Sequence, residues 1–152
     1  MSPRQRLEED MLQLLGLRLR AYFPPEGHEN PAVWLSQTFA VVRAAIAKGD
    51  PVAVSLACSL IEQDPMLPFG KLIKSDLARA LKKQVAMLVA SERAQVLNAV
   101  AKLLNQEYAP RELEDYCKLA KKLPVAEYRA AVADVTTKNA KAKQLLAYLS
   151  DA

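Results

Sequence analysis

This sequence is short of the residues that carry most enzymatic chemistry. It has one histidine, His28, and two cysteines, Cys58 and Cys117. A single histidine removes Ser–His and Cys–His nucleophile pairs unless His28 reaches a distant part of the fold. The cysteines are far apart and in no metal-ligand spacing, which predicts free thiols. No G-x-x-x-x-G-K-[ST] loop is present, so nucleotide hydrolysis has no support. The acids are scattered, and no pair stands out as a general acid and base. No cofactor is called for. No apolar run approaches the roughly 20 residues of a membrane span. Glu8, Glu9 and Asp10 lie just ahead of the first apolar residues, unlike a secretory leader. The expectation is a cytoplasmic protein with no membrane partner.

Glycine occurs only four times and aromatics make up 6% of the chain. β-Branched residues form no alternating runs. Half the residues are apolar, mostly Ala and Leu, which favours helix over sheet. A chain of 152 residues can bury a core without disulfides or metal, so one helical domain over 1–152 is expected.

Proline punctuates the chain. Ser2-Pro3, Asn30-Pro31 and Asp50-Pro51 each pair a capping side chain with proline at the first helical position. The first helix places Leu7, Met11, Leu14, Leu15 and Tyr22 on one face. Residues 23–29 form a loop. The second helix runs to Lys48, with Trp34, Leu35, Val41, Val42, Ala45 and Ile46 inward, and Gly49 ends it in the left-handed conformation. Almost every position from Val52 to Ile61 is apolar or small, which marks the third helix as the central buried one. Asp64-Pro65 ends it. After an irregular 66–70, Leu72, Ile73, Leu77, Leu81, Val85 and Leu88 form a stripe if the segment is one helix. Ser75-Asp76 offers the alternative of a cap that splits it. Ser91-Glu92, Pro110, Pro124, and Thr136 or Thr137 start the remaining helices. The total is seven or eight antiparallel helices, stacked as a short solenoid or an irregular bundle. The plan resembles that of HEAT- and armadillo-type solenoids, although neither consensus motif is present.

Two segments share the pattern P-x₆-C-x-L-x₄-P, from Pro51 to Pro65 and from Pro110 to Pro124, offset by 59 residues. An internal duplication, with units about 31–90 and 91–152, is one reading. Chance is the other, since prolines gather at helix starts anyway.

The net charge of +4 is local. Lys71, Lys74, Arg79, Lys82 and Lys83 stand against Asp76 alone in residues 66–90, and the rest of the chain is balanced. These five cations form either a phosphate-contacting helix face or a solvated face with lysines at a helix C-terminus. Gly70-Lys71 adds a weak anion-site signal at a helix start. Tyr116, Lys118, Lys121, Lys122, Tyr128 and Arg129 interleave aromatics with cations, as single-stranded nucleic acid binders do. Acids early and lysines late in that helix, with Glu114 and Lys118 at i, i+4, explain the same pattern without a ligand. His28 between Glu26 and Glu29 suggests a metal only in a loop with no rigid geometry. Cys58 packs in the core. Cys117, near lysines, has a low pKa only if exposed.

These features point to a non-enzymatic helical interaction or scaffold module of a bacterial-type cytoplasmic protein. Its partner is another protein or peptide, met by the loops 23–30 and 65–71. The alternative is a nucleic-acid-binding accessory protein that uses Lys71, Lys74, Arg79, Lys82 and Lys83.

Overall fold

Capping chemistry sets most of the helix starts. The Ser2 hydroxyl accepts from Gln5 N, and the Gln5 side chain accepts from Ser2 N, which opens α1 (Pro3–Leu15). Asn30 caps α2 (Pro31–Ala47), and Asp50 caps α3 (Pro51–Gln63). The computed structural model describes residues 1–67 and 70–151, with Gly70 and Lys71 described by backbone alone. Within them follow α4 (Gly70–Lys83), α5 (Ala90–Leu104), α6 (Glu112–Ala120), α7 (Val125–Val132) and α8 (Ala140–Ser150). Short 3-10 helices occupy Leu17–Tyr22 and Val85–Met87. No strand occurs among the described residues.

The helices stack in two ranks. Each packs on the next but one: α1 on α3, α2 on α4, α3 on α5, α4 on α6, α5 on α7 and α6 on α8. Chain neighbours α1–α2, α2–α3, α3–α4, α5–α6 and α7–α8 join the ranks. This order suits a short helical-hairpin solenoid, with one departure, because α8 also returns to α5. The core runs between the ranks. Trp34, Leu35, Leu56, Leu60, Leu77, Leu81 and Leu103 are nearly or wholly inaccessible. The expected centrality of α3 holds, with Ala53, Val54, Leu56, Ala57, Cys58, Leu60 and Ile61 all buried.

Several boundaries differ from expectation for identifiable reasons. Gly16, at φ 92°, breaks the first helix, so Tyr22 reaches the core from a separate 3-10 helix. α4 is continuous, and Ser75 is buried inside it rather than capping a new helix. Leu72 is 53% exposed, because it stands four and seven residues before Asp76 and Arg79 on the polar face. Val41 is likewise exposed. α5 begins at Ala90, where the Glu92 side chain accepts from Val89 N, so Glu92 sits in the first turn and Ser91 is not the cap. α8 is capped by Asn139, not by Thr136 or Thr137. The Asn105 side chain accepts from Thr136 N, and Asn139 donates to Gln106 O, which holds that connection to the turn after α5. Gly49, at φ 81°, ends α2 as expected. The two proline–cysteine segments become α3, packed among α1, α2, α4 and α5, and α6, packed on α4, α5 and α8.

Candidate functional site

Three buried polar side chains, Lys74, Glu112 and Tyr116, and the partly buried Asp64 converge where α3 ends and α4 and α6 pass it. Asp64 closes α3 in the left-handed region, at φ 47°. Its Oδ1 lies 2.6 Å from Lys74 Nζ. Lys74 is 6% exposed. Its position explains this, because it precedes Ala78 and Leu81 by four and seven residues and so shares the inward face of α4. The lysine also lies near the carbonyl end of α3, where a cation offsets the helix dipole and the adverse placement of Asp64.

Glu112 opens α6 and is 4% exposed. It shares a face with Tyr116 and Leu119, four and seven residues on. Glu112 Oε2 and the Tyr116 hydroxyl are both buried with no hydrogen-bond partner among the described residues. Burial pushes the Tyr116 phenol well above its ordinary range, and the carboxylates of Glu112, Asp64 and Asp115 push it the same way. The phenol therefore stays neutral and keeps its O–H donor. Unpaired buried polar atoms are costly and uncommon, so this pair calls for a partner.

An open cleft of about 570 Å³ is bounded by three of these four residues. Asp64, Lys74 and Glu112 line it together with Leu67, Leu72 and Leu103. Met66, 97% exposed, and Tyr108, 69% exposed, stand at its edge. The lining contains no histidine, cysteine, serine or threonine. Its chemistry is that of binding: an apolar wall, a spent ion pair and one buried carboxylate oxygen with no partner among the described residues.

The five-cation face is not assembled. Lys74 is buried and spent on Asp64, which corrects its assignment as a surface cation. Arg79 forks onto Asp115 through Nε and Nη2, both at 3.3 Å, and its Nη1 meets Asp76 at 3.0 Å. Lys82 is half-buried and Lys83 is exposed. The Lys71 side chain lies outside the described residues. Arg43, on a different helix and unmarked by any local pattern, stands 3.7 Å from Asp76. It joins Arg79 and Lys83 along a second cleft of about 580 Å³ between α2 and α4.

The other sequence candidates disperse. Tyr116 and Tyr128 are buried, and Lys121 donates to Tyr148 O and Asp151 O at 2.6 and 2.7 Å. Glu114 lies 3.6 Å from Lys141, which replaces the expected pairing with Lys118. His28 Nδ1 accepts from Asn30 N, and the 23–30 loop is tied down by the edge contact of Phe23 on Trp34. Both cysteines are inaccessible, and burial raises each thiol to about 12. A reactive Cys117 thiolate is thereby removed. No helix among the described residues is long and apolar enough to cross a membrane.

The sequence held two signals for the cleft. Lys74 falls in register with Ala78 and Leu81, and Glu112 in register with Tyr116 and Leu119. Reading the first as part of a charge run, and the second as a dipole complement, hid both. Comparison of the chain with protein-family models, curated proteins and solved structures gives no significant match.

Proposed function

We propose that the chain is a non-enzymatic interaction module of the cytoplasm, and that the cleft between α3, α4 and α6 receives a peptide segment of a partner protein. One observation carries this reading. Met66, Leu72 and Tyr108 are all exposed and gather around one cleft whose floor is buried and polar. Exposed apolar side chains scattered singly mean little, but a contiguous set around a concavity marks a contact site. The volume suits one or two side chains of a partner, within the roughly 300–1,000 Å³ of such pockets. Met66 and Leu67 supply part of the wall, which supports the part of the 65–71 expectation that falls on described residues. The 23–30 loop is held by the body of the protein and drops from the contact surface.

Site-specific photo-crosslinking tests this. A benzophenone amino acid at Met66 or Tyr108, in the native host, should give a discrete protein adduct whose crosslinked residue maps to one partner segment. The same group at the exposed Val33, on α2, should not give it. Equal labelling from both places, or none from the cleft, overturns the reading.

A second reading rests on Arg43. With Arg79 and Lys83 it lines one cleft that draws cations from two helices, with Asp76 paired to both arginines, and so extends the α4 face. A nucleic-acid contact there would weaken linearly in log salt, with a slope that falls by about 1 for each cation reversed. Absence of binding to short RNA and DNA at low salt removes it.

A further inference from the structure

The cleft floor restricts what the partner brings into it. We infer that the occupant is a long cationic side chain, lysine- or arginine-like, whose head group binds Glu112 Oε2 and whose aliphatic stem lies against Leu72 and Leu103. This rests on the reading of the cleft as a docking site and deepens it.

A carboxylate oxygen only accepts hydrogen bonds, so whatever completes Glu112 must donate. The neighbouring cation cannot serve, because Lys74 is engaged by Asp64 at 2.6 Å. Arg111 also lines the cleft, but it is exposed and does not bond Glu112 Oε2. With Asp64 neutralised by Lys74, the carboxylate of Glu112 is the charge left on the floor, and it disfavours an anionic head group. A neutral donor would satisfy geometry, yet a charged one forms the shorter and roughly twofold stronger bond, and the gain is larger away from water. The walls decide the stem. Leu67, Leu72 and Leu103 give a linear aliphatic chain apolar contact along its length while the head reaches the floor.

Amide NMR of the full chain, titrated with n-butylammonium as the lysine side-chain mimic and n-butanol as its neutral counterpart, provides the test. Butylammonium should shift signals from 64–67, 72–74 and 103–113 saturably, and bind about tenfold tighter than butanol, as a charge-assisted bond over a neutral one implies. Glu112→Gln should bring the two probes to equal affinity with distant signals unchanged. Should that variant fail to fold, Leu72→Arg, on an exposed position, places a tethered competitor at the mouth; both probes lose the Leu72 contact, and butylammonium should weaken more than butanol. Equal affinity of both probes for the unaltered chain overturns the cation while leaving the docking cleft standing. No shift with either probe overturns both. Butylammonium shifts spread over acidic surface residues overturn the cation as well, since they report general ion pairing only.

Discussion

Lys74 Nζ sits 2.6 Å from Asp64 Oδ1, and the acid it neutralises is the non-glycine residue that closes α3 at φ 47°. The pair joins a strained helix end to the inward face of α4. Removing one member strands the other in a poorly hydrated place. Lys74→Ala should therefore destabilise the protein by about 2–3 kcal/mol, somewhat below the usual cost of a broken buried pair because Asp64 keeps some solvent contact. Lys74→Met with Asp64→Asn should recover most of this, since Asn tolerates the left-handed region and leaves no charge uncompensated. Urea denaturation of the two singles and the double variant measures the coupling. Independent, additive costs would show that the pair is not a unit.

Tyr22 makes stability fall at high pH. Its hydroxyl donates to Asp50 Oδ2 at 2.6 Å, and burial, with the Asp50 contact, raises the phenol from 10 to about 12. A raised folded-state value means the neutral phenol is favoured by folding. The stabilisation is complete below pH 10 and is lost as pH climbs toward about 12. The same bond lowers the Asp50 carboxyl below its ordinary value, so that contribution is present above the ordinary carboxylate pKa and is lost as pH falls further into acid. Tyr22→Phe should cost about 1–2 kcal/mol at neutral pH and make the alkaline limb of a stability–pH curve shallower, the remainder belonging to Tyr116, Cys58 and Cys117. An unchanged alkaline limb would assign it to other groups.

The thiols report folding rather than chemistry. Cys58 and Cys117 are inaccessible and raised to about 12 by burial. Iodoacetamide at pH 8 should leave the native protein unmodified and label both cysteines in denaturant. Rapid modification of Cys117 in the native state would restore a reactive thiol and with it an enzymatic reading.

Lys121 locks the last helix. Its ammonium donates to Tyr148 O and Asp151 O and lies 5.0 and 5.6 Å from the rings of Tyr148 and Tyr128. A cation satisfying carbonyls at the end of α8 also complements its dipole. Lys121→Met should lower amide-exchange protection in α8 by about 1–2 kcal/mol and leave α3 unchanged. Uniform loss across the chain would show that α8 opens only with the whole domain.

Local chemistry was legible in the sequence, and spatial partnership was not. Proline after Ser2, Asn30 and Asp50 wrote the starts of α1, α2 and α3, because a cap and its first turn involve only neighbours. The largely apolar run from Val52 to Ile61 announced that most of α3 is buried, with Ala53, Val54, Leu56, Ala57, Cys58, Leu60 and Ile61 inside. Periodicity could also have separated Lys74 from Arg79, since only Lys74 is in register with Ala78 and Leu81. No local rule could say that Arg79 would meet Asp115 or that Glu112 Oε2 would lack a partner among the described residues, because those outcomes depend on how α4 and α6 approach each other. Composition and periodicity determined an all-helical chain and its buried faces, since backbone propensity and amphipathicity act within a few residues. The stacking of next-but-one helices decided which charges were cancelled, which were buried and where a cleft stayed open, since burial and Coulomb energy depend on distances that only the folded chain defines.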